Sequence, residues 1–539
     1  MFPSSVTTRL DPNGAPVWRQ DSSKLFGLVE AKGDSDLFKS SLKHQRREES
    51  ERAENSSFVS SPSKPTAKRW DAKSRQPSSI KAAARAAGEP GMISLGAGAP
   101  SAAYFPFKNI DVTISNDIYF SAETEEPESN IHMAKYDFEA GVSDFGLDVA
   151  LNYGQGTGSA QMIRFVTEHT ELLHDPPYAD WGCCLTVGST SAWDSTLRMF
   201  CNKGDSILVE SYAFASALET AWPLGINTIG VEMDEEGLIP KALDYLLSEW
   251  DELTRQARKP FLLYMVPTGQ NPTGATQSLA RRKAIYSIAQ KHDLYIVEDE
   301  PYYYLQLPRY GNQVADTHQT NGLIPSYLSL DLDGRVLRMD SLSKVLAPGA
   351  RIGWVTASQQ VIEKFVRQNE TSSQHPSGFS QAIIFKLLNH HWGHLGFFKW
   401  LEGIQKEYTW RRDVFVEACD RHLPRKYVNW TSTDAGMFVS ILMSGLTCIF
   451  ADSRIKWKSH PLYKTNNDHA TIQQAIFDSA VRHKVFVTPG SCFLSTADVA
   501  EDRMFFRATY ASASKEDLKE AARRFSAAIE YEFEERMNH

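Results

Sequence analysis

The chain has no apolar run approaching the roughly 20 residues that cross a bilayer, so no membrane-spanning helix is expected. It has no excess of basic residues: the formal charge is −9 and the pI is near 6.0. That excludes nucleic acid as a main partner. Cysteine is scarce. Cys183, Cys184, Cys201, Cys419, Cys448 and Cys492 show neither metal-ligand spacing nor a dense disulfide framework, which points to a reducing compartment and a cytoplasmic protein. The N-terminus has no basic-then-apolar signal, and acids at Asp11, Asp21 and Glu30 argue against a transit peptide. His390, His391 and His394 cluster, but no acid or cysteine stands at matching spacing. They read as a polar helix end, and no metal is expected. No internal repeat is visible.

What is present is an ordinary soluble composition, with 42% apolar and 23% charged residues. The 539 residues are more than one core needs, so two or three packed units are expected. Residues 1–75 are polar and rich in Ser, Lys, Arg and Glu, and read as a mobile extension. Residues 76–114 read as an N-terminal arm that joins a small domain. Within them MISLGAGAP is a short strand-like run. Residues 115–144 are acidic and Pro-interrupted, and read as a surface insertion.

From Asp148 onward, helical and strand patterns alternate. Ser159–Leu173, Ser191–Cys201 and Leu279–Lys291 have helical spacing. SILVES, FLLYMVP, LYIVED and RVLRMD are short apolar strands between them. Short apolar strands separated by amphipathic helices indicate an α/β fold with a mostly parallel sheet, here over 145–370. Residues 371–539 have long helical stretches and then the strands FVSILM and VFVTP, as in a smaller α+β domain.

One stretch carries more chemistry than the rest: Asp340-Ser341-Leu342-Ser343-Lys344, continuing to Arg351 and Trp354. A strand stops there and opens into a loop with two hydroxyls, a lysine and an arginine. The lysine can form an imine, and the arginine with the serines can hold a phosphate. A cofactor with both an aldehyde and a phosphate is pyridoxal 5′-phosphate. Other loops follow predicted strands in the same way: Pro267-Thr268-Gly269-Gln270-Asn271-Pro272-Thr273-Gly274, and Glu298-Asp299-Glu300-Pro301-Tyr302. Thr186-Val187-Gly188-Ser189-Thr190 precedes a predicted helix. Open α/β sheets gather their ligands at such strand ends.

With VPTGQNPTG, VEDEPYYYLQ and MDSLSKVLAPGARIGW, the chain resembles the fold-type I pyridoxal-phosphate aminotransferases over roughly residues 77–530. Within them it looks most like the aromatic-amino-acid and 2-aminoadipate group, which includes kynurenine aminotransferase II, and especially its fungal aromatic branch. The resemblance implies a role for each residue. Lys344 would form the internal aldimine and carry the substrate proton. Asp299 would keep the pyridine nitrogen protonated. Asn271 and Tyr302 would point at the phenolic oxygen. Ser189, Thr190, Ser341, Ser343 and Arg351 would bind the phosphate, and Phe214 would stack on the ring. Arg507, within RMFFRATY, would grip the substrate carboxylate. Gly98 would lie near the substrate, and Tyr153 would reach the phosphate of a neighbouring subunit in a homodimer with shared sites.

The implied activity is transamination of Phe, Tyr and Trp, with 2-aminoadipate or kynurenine as further donors and 2-oxoglutarate among the 2-oxo acid acceptors. The alternatives are another fold-type I enzyme, such as a C–S lyase or synthase, and a regulator with an aminotransferase-like domain. The second needs a DNA-binding domain, which residues 1–75 are too polar and irregular to supply.

A pocket that takes both an aromatic ring and a second carboxylate needs a cation that can leave. Lys81, in Pro77-Ser78-Ser79-Ile80-Lys81, is the candidate, because a lysine can swing its charge to solvent at small cost. A solvated lysine at a helix start is the competing reading. Lys81→Ala is expected to raise KM for 2-oxoglutarate and 2-aminoadipate and to change phenylalanine little. Equal effects on all three, or none, remove Lys81 from selectivity.

Overall fold

The structure is a computed structural model that describes residues 78–79, 95–96, 98–115, 120, 128–311, 322–443, 460–464, 469–495 and 504–535. The extension 1–75, Lys81 and Cys448 lie outside these. Two compact units form, one from residues 1–202 with 325–401, the other from 203–324 with 402–539. Each unit therefore takes two separated stretches of chain, and the 145–370 segment contributes to both.

In the first unit the strands Trp181–Thr186, Gly353–Ser358 and Val336–Ser341 lie side by side in that order and run antiparallel. Every residue of the three is buried. The helices Ala160–His174, Ser189–Phe200 and Gln359–Glu370 pack on them. Ser159 starts the first helix by accepting a hydrogen bond from the Met162 N–H, and Asp175 ends it in the left-handed region at φ 41°.

The expected polar insertion contains more structure than its acidity implied. Ser129–Ala134 is a strand paired antiparallel with Asn109–Ile114, and it buries Ile131 and Met133. The alternation there is only a few residues long and sits beside an acidic run, which hides it. The described part of MISLGAGAP forms no strand, and Leu95 is exposed there. Its glycines and proline weaken the strand pattern.

In the second unit the strands Tyr295–Asp299, Leu262–Met265, Ser206–Glu210 and Asn227–Val231 form a parallel sheet in that order. The first three are apolar almost throughout and fully buried, as strands covered on both faces must be. Ser278 caps the helix Leu279–His292 through the Arg281 N–H.

An antiparallel sheet, Asn429–Trp430, Phe438–Leu442, Phe505–Thr509 and Thr488–Pro489, belongs to the same unit. Phe506, Phe525, Ile472, Ile476 and Cys419 share its core. Of the expected strand VFVTP, only Thr488–Pro489 pairs. Pro489 has no N–H to give, so this run can serve only at a sheet edge.

Among the described residues no helix is long and apolar enough to cross a membrane. The described cysteines are all free, with Cys183, Cys184, Cys201 and Cys419 buried and Cys492 exposed.

Candidate active site

The first unit carries an anion cradle. Val336–Ser341 ends in a forked ion pair: Arg338 Nε and Nη2 each donate to Asp340 at 2.8 Å, two residues apart on one face of the strand. This fixes the strand end from which the lysine turn departs. Ser341 then caps the short turn Leu342–Lys344 by accepting from the Ser343 N–H at 3.1 Å, and donates its own hydroxyl to Ser343 Oγ at 2.9 Å.

Arg351 sits in the left-handed region at φ 50°. From there its guanidinium donates to Ser343 Oγ at 3.3 Å, Pro348 O at 2.8 Å and Val187 O at 3.0 Å. It reaches across Gly188, where a Cβ would lie 2.3 Å from Nη2 and φ is +82°. Only glycine fits that position. The helix Ser189–Phe200 starts immediately after it, with its first N–H groups available to an anion. Ser189 Oγ is buried and makes no hydrogen bond. A guanidinium, hydroxyls, free helix N–H groups and an unsatisfied buried hydroxyl are the donor set a phosphate needs, so these residues fit the phosphate of pyridoxal phosphate. Of the called residues, Ser341, Ser343, Lys344, Arg351, Ser189 and Thr190 all fall on these two adjoining turns.

The second unit holds the other called residues. Asp299 ends its strand buried, and Tyr264 of the adjacent strand donates its hydroxyl to Oδ2 at 2.7 Å. A carboxylate has several lone-pair directions, and this bond uses one of them. Burial, then the Asp299 charge, pushes the Tyr264 phenol well above its ordinary pKa, so it stays a donor. Tyr302 is buried with its ring edge-on to Phe438 at 5.7 Å, and burial likewise pushes its phenol up.

Arg507 Nη1 donates to Asn271 Oδ1 at 2.7 Å and Nη2 to Thr488 Oγ1 at 3.3 Å. Its guanidinium lies beside two phenyl rings, 4.5 Å from the Phe438 centroid and 4.8 Å from that of Phe493. Burial lowers its pKa from the usual arginine range, and no carboxylate among the described residues is bonded to it. A desolvated cation in that position is prepared for an incoming anion. Phe214, partly buried, caps the helix Ala215–Ala221.

Two calls stand apart. Tyr153 is 72% exposed. Gly98 is exposed, and a Cβ there would meet nothing. The histidine cluster is not simply a polar helix end. His390 pairs with Asp144 at 2.8 Å, while His394 is buried against Glu168 at 3.2 Å. Among the described residues no group of three ligands could hold a metal.

Sequence reasoning missed Tyr264, Gln270 and Arg282. Tyr264 stood in an apolar strand, where a buried hydroxyl must find a partner; that was the available signal. Arg282 is fully buried, donates to Thr268 Oγ1 at 2.8 Å and faces Glu298 and Glu300 at 3.8 and 3.5 Å.

Residues 157–525 match the family described as aminotransferase class I and II. An aromatic amino acid aminotransferase of Schizosaccharomyces pombe is 41% identical over 82% of this chain and 92% of its own length. The chain belongs to the class I and II aminotransferases. An L-tyrosine:2-oxoglutarate aminotransferase of Serpula lacrymans is 35% identical over 80% of this chain and 83% of its own. Among solved structures, aminotransferase Aro8 from Candida albicans superimposes with a TM-score of 0.80 at 37% identity, covering 88% of this chain and 99% of that one. The fold is thus the α/β fold of type I pyridoxal-phosphate enzymes, and pyridoxal phosphate is the cofactor.

The Tyr264–Asp299 bond generates a test. A hydrogen bond to a charged group contributes about 1.5–3 kcal/mol. Tyr264→Phe is expected to weaken retention of pyridoxal phosphate by about 10- to 100-fold, followed by absorbance of bound cofactor on dialysis. Wild-type retention would assign Tyr264 to the fold alone.

Proposed function

We propose that this aminotransferase moves the amino group of aromatic amino acids (Phe, Tyr, Trp) to 2-oxo acids such as 2-oxoglutarate, in two alternating half-reactions. The activities for which the Schizosaccharomyces pombe and Serpula lacrymans relatives are named support this choice. The observation that carries the amino-acid reading is Arg507, near both Phe438 and Phe493 and bonded to no carboxylate among the described residues.

Bound pyridoxal phosphate supplies an electron sink for the bond being broken at the substrate Cα. The chain's residues do the rest. The Lys344 amine anchors the cofactor and then holds the proton that leaves Cα. Positioned proton transfer of this kind contributes about 10²–10⁴-fold in rate. Asp299 keeps a proton on the ring nitrogen, and Tyr264 fixes its carboxylate. Asn271 and Tyr302 serve the phenolic oxygen, and Phe214 covers the ring face. Ser189, Thr190, Ser341, Ser343 and Arg351 hold the phosphate. Arg507 binds the α-carboxylate as a fork, and Gly98 leaves room beside the substrate.

The decisive experiment offers each standard amino acid with 2-oxoglutarate and follows glutamate release, with Lys344→Ala as control. The aromatic donors are expected to have the highest kcat/KM, and Lys344→Ala to lose nearly all turnover. A 2-oxo acid product formed without any acceptor would indicate a lyase instead.

We further propose a cytoplasmic homodimer in which Tyr153 completes the neighbour's phosphate site. The free cysteines support the compartment. Tyr104, Phe107, Tyr136, Phe138, Val149 and Tyr153 support the dimer, being large apolar side chains left exposed within one stretch of chain. Mixing Tyr153→Phe chains with Lys344→Ala chains is expected to restore activity, because one site of each hybrid then carries neither change. No recovery despite verified subunit exchange would show that each site is self-contained.

A further inference from the structure

Glu210 ends the strand Ser206–Glu210 and is 1% exposed. In the parallel sheet of the second unit, the chain leaves this strand toward Asn227–Val231 on one side. It later fills the other side with Leu262–Met265 and Tyr295–Asp299. The order reverses between Ser206–Glu210 and Leu262–Met265. Ligands of open α/β sheets enter at the carboxyl ends of strands at such a reversal. Glu210 stands there, and no role described so far uses it.

Its burial favours the protonated form, although its two hydrogen bonds oppose it. Oε2 accepts from the Val266 N–H at 3.2 Å and from Gln270 Nε2 at 3.0 Å. Both donors are neutral. Oε1 is buried and makes no hydrogen bond, with the Gly237 turn beside it. A buried carboxylate with one oxygen unsolvated is costly. A carboxylic acid costs less: with its proton on Oε1 no charge is buried, and Oε2 is left as the carbonyl oxygen for both donors. The titratable group that faces it is Tyr264 of the neighbouring strand, which raises no positive charge and whose hydroxyl is directed at Asp299. Burial pushes the Glu210 carboxyl up to about 8.

What Glu210 holds is Gln270. That side chain is fully used: Nε2 also donates to Tyr212 O at 2.6 Å, and Oε1 accepts from the Thr273 N–H at 2.9 Å and Oγ1 at 2.7 Å. Its backbone closes the loop, with N–H to Ala275 O at 2.8 Å and the carbonyl accepting from the Gly274 N–H at 2.6 Å. The next residue is Asn271, whose Oδ1 accepts from Arg507.

We propose that Glu210 is a positioning residue for the Asn271–Arg507 pair, and that it acts as a neutral carboxylic acid. The proposal rests on the reading of Asn271 and Arg507 as cofactor and carboxylate binders. It has a consequence for pH. The folded pKa lies above the unfolded one, so the folded chain binds the extra proton between them. Stability therefore falls as pH rises from the ordinary carboxylate range to about 8 and levels off above it.

The test uses holoenzyme of the wild type, Glu210→Gln, Glu210→Ala, Gln270→Ala and Asn271→Ala. KM and kcat for phenylalanine are measured at neutral and alkaline pH, and unfolding midpoints from about pH 5 to about pH 9. Glu210→Ala and Gln270→Ala are expected to raise KM by about tenfold with a smaller change in kcat, the size of one lost buried hydrogen bond. Glu210→Gln, neutral and of the same shape, is expected to restore KM and to flatten the fall of the midpoint with pH. Glu210→Gln as impaired as Glu210→Ala would overturn the proposal, since a charge would then be needed. So would an unchanged pH slope in Glu210→Gln. If Glu210→Ala does not fold, Gln270→Ala still tests the link. Wild-type KM in Gln270→Ala beside a raised KM in Asn271→Ala sinks the positioning role alone. Wild-type KM in Asn271→Ala sinks the site reading, and the proposal with it.

Discussion

An arginine beside two phenyl rings, bonded to an asparagine amide and to a threonine hydroxyl, is a cation partly removed from water and bonded to no carboxylate among the described residues. That state is unfavourable by itself, and the second unit is arranged to maintain it. Strand pairing fixes the Arg507 backbone, with Ser440 on one side and Thr488 on the other. The loop on either side of Asn271 is held by the Gln270 side chain and by Ser440, whose hydroxyl donates to Pro272 O at 3.1 Å. Among the described residues the groups around it accept hydrogen bonds but bring no full negative charge, which suits the guanidinium to the carboxylate proposed for it.

The first unit solves the opposite problem, gathering donors for a multiply charged anion. Here charge is balanced locally where it would interfere. Arg338 is consumed by Asp340 in the strand. Arg351, exposed and bonded only to hydroxyl and carbonyl oxygens in its described contacts, is placed for the phosphate proposed there. Two arginines thirteen residues apart in sequence thus have opposite duties, decided by whether a carboxylate stands within reach.

Much of this was legible in the sequence because it is encoded locally. A turn such as Ser341–Lys344 puts its chemistry on adjacent residues, and a continuous apolar run such as FLLYMV announces a buried strand whatever its neighbours are. The partners were not legible. Tyr264 meets Asp299 only because their strands are adjacent, and Gln270 meets Glu210 only across the sheet's reversal. Such contacts depend on strand order, which periodicity does not carry. The Ser129–Ala134 strand was hidden for a related reason. Its pattern is shorter than the window that distinguishes alternation from chance, and acidic neighbours outweigh it.

The loop that bears Asn271 approaches another loop closely at two glycines. A Cβ on Gly269 would lie 2.6 Å from the Gly436 Cα, and one on Gly436 would lie 2.9 Å from the Gly269 carbonyl oxygen. Both glycines also have positive φ, 55° and 79°. Neither can accept a side chain while the other stays in place, so the two loops cannot drift separately. Residues 269 and 436 therefore act as a fixed point where the two loops meet. A library that randomises either loop while sparing both glycines searches specificity; one that includes them mostly samples chains that fail to close.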